Sequence, residues 1–300
     1  MEEPQAEEPK AIEGVVNAQE VFAAALMEFI KPHVPAINEK LQAFRTWFDA
    51  FMIQAAPVLH KLASVDWEAL LRGLDELSKN SSAPMKVAAR QGWFFNWQDS
   101  VGQTAQLTEH LRDANSSEDI DRILMAHYNE SWDVYVELLA NAYPARKVAI
   151  EAAVGAHRGL APAGYSLSIP VFLAQADGIF SELTGAPKAM DKVRGEKVIK
   201  GSVWVQRQIG EDQLAIDLLF PVLQLHEMDI LKSLRDRESA SAESGKDFNA
   251  LNRHQVLHGE VSDYGTEMNS VKAFSFLVFL ALHIPDILQA TKARLELQLT

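Results

Sequence analysis

Apolar residues recur three and four positions apart along most of the chain, and runs that alternate every second residue are scarce. That periodicity restricts the chain to helices that each bury one stripe. The predicted fold class is all-α, a multi-helix bundle. Val21, Leu26, Phe29 and Ile30 mark one helix face, stopped by Pro32 and Pro35. Leu41, Phe44, Phe48, Phe51 and Met52 mark a second, and Asp66 to Leu71 opens a third with acidic residues in its first turn. Ser81-Ser82-Ala83-Pro84 is a break. Ser117-Glu118-Asp119-Ile120 starts a helix that runs through Ile123, Leu124, Tyr128 and Trp132 toward Pro144. Residues 145–157 form the next, ended by Gly159 and the loop 161–164. Residues 214–234 read as a helix kinked at Pro221. Helices over about 247–258 and 267–283 follow, with a tail helix after Pro285. Extended structure is expected only at 166–172, around Pro170, and at 198–205, a short hairpin arm. The small, polar run 239–245 reads as a mobile loop.

A chain of 300 residues that is 48% hydrophobic can bury a large core, so general disorder is excluded. The acidic, Pro-containing residues 1–15 read as a disordered tail and not as a secretory leader. The most apolar stretch, Phe274 to Leu282, is far shorter than the roughly 20 residues of a membrane span, which makes it a buried helix. No cysteine is present, so disulfides, thiolate metal sites and a Cys nucleophile are excluded. A reducing cytoplasm suits such a chain.

Charge is uneven. Residues 1–185 carry 14 basic and 25 acidic side chains, and residues 186–300 carry 14 and 16. An overall charge of −13 disfavours bulk binding to DNA or anionic membrane, and any anion-binding role falls in the last third. The clearest basic stretch there runs from Lys188 to Arg207. It is either a solvated face or a strip that tracks an RNA backbone through Lys192, Arg194, Lys197 and Lys200.

The segment richest in chemistry is Phe248 to Gly259, F-N-A-L-N-R-H-Q-V-L-H-G. On a helix, His254 and His258 share a face, while Arg253 and His258 lie about 140° apart. Gly259 is a natural left-handed terminator, which leaves His258 in the last turn, beside the negative end of the helix dipole. A histidine there can exchange a proton near neutral pH, and an arginine fork suits phosphate oxygens. Together they offer what ribonucleotide cleavage needs. The histidine takes the 2′-hydroxyl proton or protonates the leaving 5′-oxygen, and the arginine holds the scissile phosphate. A second reading binds a metal through His254 and His258 with Glu260 or Asp263. However, Gln255 stands where zinc proteases of the H-E-x-x-H type carry their general base. A third leaves Arg253 paired with a local acid and His258 closing a helix.

Arg253-x4-His258, with polar His254 after the arginine, resembles the R-x4–6-H signature of the HEPN superfamily. The resemblance is close over 249–280, including Asp263-Tyr264-Gly265-Thr266 and Asn269-Ser270-Val271-Lys272-Ala273, and extends loosely to 146–280. Many members of that superfamily are compact helical endoribonucleases that need no metal, found in toxin–antitoxin, anti-phage and RNA-targeting CRISPR systems. The resemblance implies a homodimer with two facing Arg/His pairs, catalysis by Arg253 and His258, and support from Asn252 and His254. No cofactor or metal is implied. It also implies division into an N-terminal helical region, 16–145, and a HEPN-like domain, 146–300. The leading expectation is an RNA endonuclease of phage defence or growth control, with a possible regulatory protein partner at the acidic N-terminal region. The competing expectation is a non-catalytic interaction or RNA-binding module, since many HEPN-like domains lack nuclease activity.

Other candidates carry two readings each. Thr266 is an N-cap for the helix holding Asn269 and Lys272. Tyr264 either closes a turn or stacks on a base. Lys272 either is solvated or touches an RNA phosphate. Gln175 and Asp177 form a buried structural pair or line a cleft near Arg253. Arg146 and His157 read as fold residues. The aromatic run around Trp93 and the stripe Phe274, Phe276, Phe279 read as core or interface packing.

Overall fold

A computed structural model of the chain describes residues 82–94 and 101–298. The helices expected before residue 72, the acidic tail and the end of the aromatic run lie outside the described residues. The described core and the site lie within one compact unit, His60–Lys292.

The described residues are all-α, with no β-strand among them and one isolated antiparallel bridge, Lys192 to Ile199. Helices α1 (Ser82–Arg90), α2 (Val101–Asp113) and α3 (Ser117–Ala142) come first. The start of α3 is written locally. The Ser116 hydroxyl accepts the Asp119 N–H, and Glu118 and Asp119 sit at the positive end of the dipole. Its buried stripe is Ile120, Leu124, Tyr128, Trp132, Tyr135 and Leu139, spaced by fours and one three. Pro144 then opens a single 3-10 turn, and α4 (Lys147–Gly159) follows.

Helix α5 (Ala163–Thr184) overturns the extended expectation at 166–172. Pro170 costs a helix interior about 3 kcal/mol, because it lacks the N–H that would bond the Ser166 carbonyl. Against that, α5 buries Ile169, Phe172, Leu173, Ile179 and Phe180 completely, each stabilising by about 1.5–3 kcal/mol. Burial wins. The freed Ser166 carbonyl accepts the Tyr264 hydroxyl at 3.2 Å instead.

The basic stretch also departs from expectation. Beyond the isolated bridge, residues 200–209 form α6 (Lys200–Ile209), because Gly201, Val205 and Ile209 recur by fours and are all buried. Gly201 lies against α5 so closely that a Cβ there would sit 2.2 Å from the Phe180 ring. The expected kinked helix at 214–234 is broken into α7 (Gln213–Leu218), α8 (Phe220–Leu223) and two 3-10 turns, 225–227 and 229–231. The run 239–245, read as a loop, lies mostly in α9 (Leu234–Ser244). A reciprocal capping box between Ser233 and Asp236 starts this helix, and left-handed Gly245 ends it, so its weak apolar pattern is offset by good ends.

The expected helix over 247–258 is only α10 (Arg253–Leu257). Helix α11 (Glu267–Val278) begins where Thr266 accepts the Asn269 N–H. It passes through a π-helical turn, Phe279–His283, into α12 (Ile284–Gln298). The stretch Glu267–Lys292 is long and apolar enough to cross a membrane, and 72% of its most apolar window is buried inside the protein. A helix apolar on all sides and so enclosed is the axis of a core. Trp132 stacks on Phe274 with ring centres 4.0 Å apart and on His157 at 4.5 Å. A buried polar chain crosses this packing. His157 Nδ1 lies 2.8 Å from Ser270 Oγ, which lies 2.7 Å from Ser168 Oγ, so α4, α5 and α11 are tied by satisfied groups.

Candidate functional site

Five residues cannot hold a helix by themselves, so α10 takes its shape from what flanks it. Asn252, 1% exposed, is its N-cap. The Asn252 side-chain oxygen accepts the Gln255 N–H at 3.2 Å, and its amide donates to the carbonyls of Asp229 at 2.6 Å and Lys232 at 3.0 Å. Arg237 Nη1 donates to the same oxygen at 3.2 Å, so every hydrogen-bonding group of the Asn252 side chain is used. At the far end, the His258 N–H reaches the His254 carbonyl at 3.0 Å and Gly259 turns the chain at φ +68. The Glu260 N–H then closes on the Gln255 carbonyl at 2.8 Å. The glycine terminator stands where the sequence places it.

Arg253 opens the helix and donates through Nη2 to Asp177 Oδ2 of α5 at 2.6 Å. Its side chain is 15% exposed, its Nε is buried without a partner, and so is Asp177 Oδ1. Nη1 has no partner among the described residues. His258 is exposed at the other end. The rings of His254 and His258 lie parallel, 6.0 Å apart. Burial, then the charges of Arg253, His258 and Arg237, hold His254 below the ordinary histidine range, while Glu260 opposes them. His254 is therefore neutral at pH 7 and can both donate and accept.

The other sequence candidates fall into separate places. Tyr264 is half-buried, with its hydroxyl engaged by Ser166 and its carbonyl accepting the Asn269 amide at 3.0 Å. Gly265 lies against Ser166, where a Cβ would come within 2.0 Å of Oγ, and this seats the loop after the motif on the first turns of α5. Lys272 is held by Asp121 at 3.0 Å and lies over the Trp93 ring, facing α3. Lys192 pairs with Asp236 at 3.4 Å and Lys200 with Asp191 at 3.7 Å. Arg194 and Lys197 are exposed and form no ion pair among the described residues. Gln175 and Asp177 do not pair with each other. Gln175 accepts from Arg146 at 2.7 Å, in a cleft lined by Tyr143, Pro144 and Glu182 that contains no motif residue.

Glu260, a possible third metal ligand with the two histidines, is taken up by Arg237 at 2.7 Å. Among the described residues no three His, Asp or Glu side chains are grouped so as to hold a metal ion. One residue of this site, Arg237, escapes sequence reasoning, because it sits in a polar stretch with no pattern of its own; Asp177, 76 positions from Arg253, is one of the two residues expected to line a cleft near it. For Arg237 the one available signal is Ser233-x-x-Asp236, which fixes a helix start and so fixes the residue after it. Against known protein families, curated proteins and solved structures, the chain shows no match.

Proposed function

We propose that the chain is an endoribonuclease of HEPN type, cleaving RNA through the substrate's own 2′-hydroxyl. The observation that carries this reading is the five-residue helix with an anchored arginine at its start and an exposed histidine at its end. Asp177 takes one terminal nitrogen of Arg253 and sets the fork, which leaves Nη1 for a non-bridging phosphate oxygen. His258 takes the 2′-hydroxyl proton. The 2′-oxygen attacks phosphorus, the P–O5′ bond breaks, and the 5′-oxygen leaves with a proton. The products are a 2′,3′-cyclic phosphate and a 5′-hydroxyl. The nucleophile comes from the substrate, so no metal-activated water is required. The leaving-group proton comes from a second histidine, supplied by a facing copy in a homodimer.

The Arg253–Asp177 ion pair also favours a second reading, in which the pair is a structural tie in a non-catalytic RNA-binding or interaction module. RNA and its 2′-O-methyl analogue, incubated with the full chain in chelator, separate the two. The nuclease cuts RNA alone, and Asp177→Asn lowers its kcat about 10-fold with little change in KM. Cleavage of both polymers, or its loss in chelator, contradicts the proposed chemistry.

A further inference from the structure

Arg237 is 3% exposed, yet it carries a charge and uses a helix position that a methionine could fill. A buried guanidinium is costly unless it is paired, and a paired one rarely stabilises more than an apolar side chain of the same size. Something other than stability therefore accounts for its place. Its partners are informative. Nη1 donates to Asn252, the residue just before Arg253, and Nη2 donates to Glu260, two residues after His258. One rigid fork thus holds both ends of α10. The fork is itself fixed, because the Ser233/Asp236 capping box, which ends one residue earlier, sets the first turn of α9. The hydroxyl of Ser233 first, then Lys192, keeps the Asp236 carboxyl below its usual range, so the box is intact at neutral pH.

We propose that Arg237 is a positioning residue that sets the separation and orientation of Arg253 and His258 by clamping the two ends of their helix. This rests on the ribonuclease reading above. The clamp has a direct geometric consequence. Without Arg237, Asn252 keeps its bonds to the Asp229 and Lys232 carbonyls and the Gln255 N–H but loses its tie to α9. With the Glu260 end free, the turn that aims His258 is held only by backbone hydrogen bonds.

The test compares wild type, Arg237→Met and Glu260→Ala in the full chain. Three quantities are read: RNA cleavage, hydrogen exchange at the His258 and Glu260 amides, and the His254 titration by NMR. Arg237→Met is expected to slow cleavage about 100-fold and Glu260→Ala about 10-fold. Both are expected to speed exchange at the two amides while α5 amides keep their protection. The His254 titration moves in opposite directions, up without Arg237 and down without Glu260. A positioning role therefore predicts two losses of activity against two opposite titration shifts. If cleavage instead rises in one variant and falls in the other, following the titration, Arg237 acts through its charge and the proposal is wrong. Unchanged exchange at both amides overturns it equally. If Arg237→Met does not fold, Glu260→Ala decides, since that side chain lies on the rim at 43% exposed. If wild type cuts no RNA, the ribonuclease reading fails, and the exchange data alone uphold or overturn the clamp.

Discussion

Acidification from pH 7.5 to 4.5 is expected to remove about 2–3 kcal/mol of stability through His283 alone. His283 sits in the π-helical turn, 1% exposed, stacked on Phe279, with Nε2 3.3 Å from the Leu218 carbonyl. Burial lowers its pKa to about 4, only partly opposed by that carbonyl. In the unfolded chain the same imidazole titrates near 6.5. Below that value the unfolded state gains a proton that the folded state refuses until about pH 4. The stabilisation is thus complete at pH 7.5 and is lost progressively as pH falls through the window between the two values. Urea unfolding followed by tryptophan fluorescence at several pH values reads this directly, with His283→Gln as the reference. The variant's absolute stability is immaterial, because its difference from wild type is compared across pH. That difference is expected to shift by about 2–3 kcal/mol in the variant's favour on going to pH 4.5. A difference that stays constant with pH means that His283 protonates in the folded state, and the enclosure assigned to α11 and the turn after it is then wrong.

Other perturbations follow from particular contacts. Gly201→Ala pushes a methyl into the Phe180 ring and is expected to cost about 1–3 kcal/mol in urea unfolding. Tyr264→Phe leaves the Ser166 carbonyl without its donor and is expected to cost about 1–2 kcal/mol. In a Pro170→Ala background, where residue 170 supplies the N–H, the same change is expected to cost almost nothing, and a cycle showing no coupling contradicts that assignment. Asn252→Ala unpairs two carbonyls, a helix N–H and Arg237 together, with an expected cost of about 3 kcal/mol by thermal unfolding.

What the sequence reveals is what neighbours decide. Thr266, Ser116 and Gly259 act within one turn of their own position, and helix starts and stops beside those points are legible. The aromatic stripe on α11 is legible because periodicity reports burial. Pro170 misleads, because its local penalty is visible while the burial that outweighs it comes from α4 and α11, distant in sequence. The run 239–245 misleads in the opposite way: its composition suggests a loop, but two good caps keep it helical. Arg253 and His258 are legible as a pair through their spacing. Of their supports, Asp177 is legible only as a residue near the cleft, while Asp229, Lys232 and Arg237 reach the motif through tertiary contacts that leave no periodic trace. Lysine placement is equally illegible. Lys272, in the motif's own neighbourhood of sequence, faces Asp121 and Trp93.

The most direct test of the Arg253/His258 chemistry is the mapping of product ends after a mixed RNA pool is incubated in chelator with wild type and with His258→Ala. The ribonuclease account predicts 2′,3′-cyclic phosphate and 5′-hydroxyl ends from wild type, and none from His258→Ala that melts at the wild-type temperature. Equal cleavage by both proteins, or products ending in 5′-phosphate, contradicts it.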